Sequence, residues 1–156
     1  RGLVPRVGDH GSNVVSAGRV VHMSAQIPEA AFHLFDGKDF AHLSVPRKDG
    51  SIQNVVIWIA RDGQELIVNS AEGRAWPANL RRSGGATVSV HTAANPYEFV
   101  SVTCTVSGDT NEGADAQIDA LAKKYMDVDE YPFRQEGEQR VTFRLAPVRA
   151  THWGAA

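Results

Sequence analysis

Two Asp-Gly pairs, Asp49-Gly50 and Asp62-Gly63, each set between apolar runs, restrict this chain more than any other feature. Glycine tolerates the positive φ that a tight reversal needs, so each pair predicts a hairpin in an antiparallel ribbon. Residues 52–60, between the two turns, are rich in Val, Ile and Trp and are expected to form a buried strand. With residues 40–45 before and 66–70 after, they are expected to form a three-stranded meander.

The remaining periodicities add strands and a few helices. Pro28 suits a first helical turn, and Ala31, Phe32 and Phe35 share one face of a short helix over residues 28–35. Residues 74–82 read as a second helix. Residues 86–91 and 99–107 read as strands, with Asn95-Pro96 marking the bend between them. Ile118, Leu121, Ala122 and Tyr125 follow an i, i+3, i+4, i+7 stripe, which predicts a helix over residues 114–126 packed on the sheet. Residues 139–145 alternate as a sixth strand, which residues 148–153 extend or follow. The expected fold class is therefore mainly β with flanking helices, a single small antiparallel barrel.

Composition bounds the partners. A chain of 156 residues with 42% hydrophobic content makes one domain with a real core, not comfortably two. The net charge of -2 marks no general nucleic-acid or membrane-binding surface, so any anion site must be local. Cys104 is the single cysteine, which excludes an internal disulfide and a Cys-rich zinc site and fits a reducing cytoplasm. No apolar run has the length to span a bilayer. Leu3-Val4-Pro5-Arg6 resembles a protease-cleavage linker and His22-Met23 a cloning junction. Residues 1–22 are accordingly expected to be a vector-derived or non-core leader, and residues 23–156 the domain.

Most candidate chemistry has a bland reading. The six histidines are scattered without metal-ligand spacing, and no nucleophile elbow, Walker loop or dinucleotide fingerprint is present. No metal is therefore expected and no catalytic side chain is assigned. Cys104 lies mid-strand without a nearby base and reads as a buried, inert thiol. Arg144 and Arg149 read as solvated strand-face charges, and residues 127–130 as an exposed acidic loop.

Residues 66–82 stand apart. An apolar run breaks at Asn69-Ser70, passes Gly73 and enters a helix carrying Arg74, Arg81 and Arg82. Small residues admit a ligand to the backbone, and a helix start with a forked cation suits a phosphate. A strand followed by a helix with a solvated basic face would look the same.

The order of motifs narrows the choice. Asp49-Gly50, then Gln53-Asn54-Val55-Val56, then Asp62-Gly63, Asn69-Ser70 and Gly73-Arg74-x-x-x-x-Asn79-Leu80-Arg81-Arg82 resemble the pyridoxamine 5'-phosphate oxidase-like split barrels. More narrowly, the chain resembles their flavin/deazaflavin oxidoreductase group, which includes the actinobacterial F420-dependent reductases. Asn95-Pro96-Tyr97, Tyr125, Glu130-Tyr131-Pro132-Phe133 and Arg140-Val141-x-Phe143-Arg144-Leu145-x-Pro147 add to the match, which covers residues 28–153.

The resemblance implies an antiparallel split β-barrel of the FMN-binding type, assembled as a homodimer with a cofactor in each of two grooves. It implies that Asn54, Val55, Val56, Asn69 and Ser70 lie near the cofactor ring, that Arg74 contacts its phosphate, and that Tyr97 lines the groove from the other subunit. Asn79 is expected to be structural. Relatives that bind the deazaflavin often carry lysine where this chain has Trp76, which forms the site wall by packing or stacks on a ring. Arg81 or Arg82 would make up the lost charge if the helix turned them inward. The implied activity is hydride transfer from coenzyme F420 to an unsaturated small-molecule acceptor, with Tyr97 and His91 as proton donors by position only. An FMN-dependent oxidoreductase or flavin-binding protein, or a non-catalytic ligand-binding split barrel, are the alternatives.

Overall fold

The computed structural model describes the backbone of residues 12–16 and 19–155 and side chains over residues 25–154. It is built on antiparallel pairing. The chain runs β1 (Ser12–Ser16), β2 (Arg19–Ser24), a 3-10 turn (Glu29–Ala31), α1 (Phe32–Asp36), β3 (Ala41–Pro46), β4 (Ile52–Ile57), β5 (Ala60–Asp62), β6 (Glu65–Ala71), α2 (Ala75–Ser83), β7 (Gly85–His91), β8 (Phe99–Thr110), α3 (Ala114–Met126) and β9 (Arg140–Ala155).

One sheet joins β1, β2, β9, β8, β7, β3 and β4 in that order, and β6 branches from β9 with β5 at its side. The branching rests on the 16 residues of β9. Its first half pairs with β6 through Leu66↔Leu145 to Ala71↔Arg140, and its second half pairs with β2 through Ser24↔Ala150 to Arg19↔Ala155. On its other side β8 follows both halves, with register shifts at Thr103/Cys104 and Val106/Gly108. Extra residues of this kind bend a strand, and Pro147, which lacks an N–H, sits at the first shift.

Two expectations change. β3 (Ala41–Pro46) and β4 (Ile52–Ile57) form the first hairpin, but the run to residue 60 breaks at Trp58-Ile59, and the second Asp-Gly turn joins β5 to β6. The meander is therefore not continuous, because β4 pairs with β3 alone and β6 turns to β9. Nor is β4 buried: its residues alternate exposed and half-buried, with Val56 60% exposed. An edge strand with one face on the core looks apolar in sequence while keeping its other face outside. Strands β1 and β2, which lie largely within the residues 1–22 read as a leader, pair as a hairpin, and β2 pairs with β9. Residues 1–11 of that segment lie outside the described residues.

The core fills the concave side of the sheet. Leu43, Val45, Leu66, Val68, Val88, Val102, Phe143 and Leu145 alternate inward and are fully buried beneath Leu34 and Phe35 of α1 and Leu80 of α2. Burying each such side chain contributes about 1.5–3 kcal/mol. The stripe predicted for residues 114–126 is buried as Ala114, Ile118, Leu121 and Ala122, with α3 packed on the opposite side of β6 and β9.

A slot between two strand edges

The open side of the sheet defines the candidate site. β4 ends the strand order with one edge unpaired, and β6 pairs with β5 only over Glu65–Ile67, so residues 68–71 present a second free edge among the described residues. The two edges flank a cavity of about 410 Å³, within the range of roughly 300–1,000 Å³ usual for small-molecule sites. Val55, Val56 and Ile57 line one side and Asn69 and Ser70 the other. Arg74 and Trp76 close one end, Phe40, Trp58, Tyr131 and Phe133 form an aromatic wall, and Ile118, Leu121 and Arg140 complete the lining.

The wall is tied together ring by ring. Trp58 stacks on Tyr125 at 5.4 Å, and Phe40 stacks on Tyr125 at 5.5 Å. Tyr131 meets both Trp58 and Phe133 edge-on. Tyr125 is the hub, accepting from the Ile59 N–H and donating to the Asp39 carbonyl, and burial pushes its phenol above the usual range. Lys124 beside it donates to the carbonyls of Phe35 and Ile59, and burial pulls its ammonium down to about 8.

At the other end Arg74 is the N-cap of α2, in extended conformation, with no side chain capping the first turn. The first N–H groups of α2 thus have no side-chain acceptor among the described residues, and Pro77 has no N–H to offer. The Trp76 ring is 7% exposed and packs on Phe143 at 6.1 Å, so it serves the core while its edge faces the cavity. Asn79 donates to Gln53 at 3.1 Å and fastens α2 to β4.

Asn69 is committed within the fold. Its amide donates to the Ala114 carbonyl at 2.8 Å and Thr142 Oγ1 at 3.2 Å, and its oxygen accepts from Arg140 Nε at 2.9 Å. Ser70 differs: its hydroxyl is buried and has no hydrogen-bond partner among the described residues.

Several expected residues stay apart from the cavity. Asn54 donates to Ser44 at 2.8 Å on the outer face of the sheet, since alternation prevents Asn54 and Val55 from facing the same way. Tyr97, 67% exposed, does not line the cavity of its own chain, and His91 stacks on His42 on the outer face at 6.1 Å. Neither Arg81 nor Arg82 turns into the cavity. Arg81 bridges Glu72 and Asp109, and Arg82 donates to the Pro46 carbonyl. Arg144 is paired with Asp62 and Glu65, and Cys104 is buried, which pushes its thiol up to about 12.

Several cavity residues went unassigned in the sequence, among them the aromatic wall and one cation, Arg140. Arg140 is 4% exposed and its guanidinium donates to Asn69 and Glu138 and lies over the Tyr131 ring at 5.1 Å. A buried arginine one residue into a strand reads locally as an ordinary solvated charge, like Arg144 four residues on. Among the described residues no group of three or more His, Cys, Asp or Glu gathers to hold a metal, and no helix is long and apolar enough to cross a membrane.

No protein-family model and no curated protein matches the chain. Solved structures do. An F420 reductase superimposes with a TM-score of 0.70 at 24% identity, over 80% of this chain and 98% of that one. The FAD- and heme-binding protein of Mycobacterium smegmatis gives 0.61 at 19% identity, over 86% and 74%. An FMN-binding protein of Syntrophomonas wolfei gives 0.55 at 17% identity, over 79% and 84%. The chain has the pyridoxamine 5'-phosphate oxidase-like split-barrel fold. In split-barrel terms, the slot between β4 and β6 is the open seam, and the cavity lies along it. Likeness at this level of identity is likeness of fold, and what the split barrel binds must be argued from the residues along the seam.

Proposed function

We propose that this split barrel is an oxidoreductase that holds a phosphate-bearing flavin-type cofactor in the seam, with coenzyme F420 as the first candidate and FMN as the second. The observation that carries the proposal is the polarity of the cavity. Aromatic rings line one part, while Arg74 and the uncapped start of α2 supply positive charge at one end. That division suits a flat ring system joined to an anionic tail. The unpartnered Ser70 hydroxyl beside the free edge of β6 supports the same fit, since a ring with carbonyl and nitrogen atoms offers it a partner.

The residues would divide the work. Arg74 and the first N–H groups of α2 would hold the phosphate. Ser70 and the backbone edge of residues 68–71 would orient the ring and stabilise charge on it, and Val55, Val56, Trp58 and Tyr131 would exclude water from its face. The cofactor, when bound, would supply a hydride for an unsaturated acceptor. No described side chain of this chain's cavity stands out as the proton source.

The proposal extends to a homodimer. The outer face of the sheet carries Ile52, Val56, His42, Phe99 and Trp153 among serines and threonines, and among the described residues no helix covers it. A second copy seated there would bury the exposed apolar side chains and bring Tyr97 of the partner toward the seam. Titration of the purified protein with F420 and with FMN, followed by fluorescence, tests the cofactor. Saturable binding of F420 at lower concentration than FMN is expected, the reverse order would favour FMN, and binding of neither would leave a ligand-binding barrel without redox chemistry.

A further inference from the structure

The charges beside the cavity are unevenly used. Glu138 Oε1 accepts from Arg140 and lies 3.9 Å from Arg74 Nη2, so a single carboxylate serves two guanidinium groups. Its other oxygen accepts from the Gln135 N–H at 3.1 Å, in the turn closed by Gly137 at positive φ. The Glu138 side chain is only 7% exposed, and Arg74 is half exposed. Burial pushes the Glu138 carboxyl up, but Arg140, the Gln135 N–H and Arg74 outweigh it and hold it below the usual range. Glu138 is thus an anion at neutral pH. Arg140 still has donor capacity on Nη2, for which no partner exists among the described residues.

We infer that Glu138 is an internal competitor for the phosphate of the ligand, setting the affinity of the Arg74–Arg140 pair for phosphate-bearing molecules. The carboxylate already engages both cations that a phosphate in the cavity would use, accepting from Arg140 and lying 3.9 Å from Arg74 Nη2. It keeps Arg140 tolerable in a buried position without a ligand, and it costs the ligand part of the attraction that two free guanidinium groups would supply. Arg140 is, beside Arg74, the second cation among the described residues that line the cavity. The inference rests on the functional reading for the ligand's phosphate but not for its ring.

The test uses the full chain and three probes: FMN, riboflavin, which lacks the phosphate, and inorganic phosphate alone. Dissociation constants come from fluorescence quenching for the flavins and from the rise of Tm with added phosphate. Glu138→Gln is expected to tighten FMN on the order of tenfold, the worth of one charge-assisted hydrogen bond, to enlarge the phosphate-induced rise in Tm, and to leave riboflavin unchanged. Glu138→Asp keeps a charge for Arg140 but withdraws it from Arg74 by one methylene, and is expected to give a smaller gain in the same direction. It also serves if the glutamine variant does not melt cooperatively. FMN and phosphate affinities that are unchanged or weaker in folded variants would overturn the inference alone. Failure of wild type and variants to bind any of the three probes would overturn this inference; failure to bind F420 as well would overturn the flavin reading.

Discussion

Ser70 and Arg74 are four residues apart along one connection, and truncating either is expected to touch ligand binding more than folding. The Ser70 hydroxyl is buried with no hydrogen-bond partner among the described residues, and such a group costs about 1–3 kcal/mol. Ser70→Ala is therefore expected to leave Tm unchanged or raise it while weakening cofactor binding; a lowered Tm would mean the hydroxyl stabilises the fold. Arg74 has one distant carboxylate and half its surface in water. Arg74→Ala is expected to leave Tm nearly unchanged and to weaken a phosphate-bearing cofactor by about 1.5–3 kcal/mol. An unaltered dissociation constant would remove Arg74 from the site. Both residues were legible in the sequence because small residues and a cation at a helix start are local signals. Arg140 was not, because its meaning depends on Asn69, 71 residues away.

At the scale of elements, α2 is anchored through Arg81, which joins Glu72 at the end of the β6 connection to Asp109 on β8. Hydrogen bonds from Arg81, and then Asn111, hold the Glu72 carboxyl down to about 2. Its folded pKa lies below the ordinary 4.5, so the unfolded chain takes up the proton first as pH falls. The stabilisation is present above about 4.5 and is lost as pH drops through about 2. Glu72→Gln is expected to flatten the acid side of a Tm–pH curve in that window. If the curve keeps its slope, the Arg81 clamp does not secure the helix. The elements themselves were largely readable: α3 spans residues 114–126 as the stripe predicts. What periodicity did not reveal was where residues 52–60 break, since Trp58 and Ile59 leave the strand to meet Tyr125 and Lys124.

For the whole molecule, the uncovered outer face predicts association. Ile52→Lys places a charge on the edge strand of the proposed interface, outside the cavity lining, at a position 57% exposed in the single chain. The substitution is expected to leave the monomer folded and to halve the mass measured by sedimentation. A wild-type chain that sediments as a monomer would refute the dimer outright. The sequence by itself determined the two Asp-Gly reversals, the helical stripe of α3, the inward alternation of the core strands and the small-residue passage into Arg74, because each depends on neighbours a few residues away. Only the tertiary structure decided that β4 would be an edge, that β6 would leave it for β9, and that the seam between them would hold a cavity. Those outcomes depend on pairing between strands some 75 residues apart, such as Val68 with Phe143, and no local pattern encodes which edge remains unpaired.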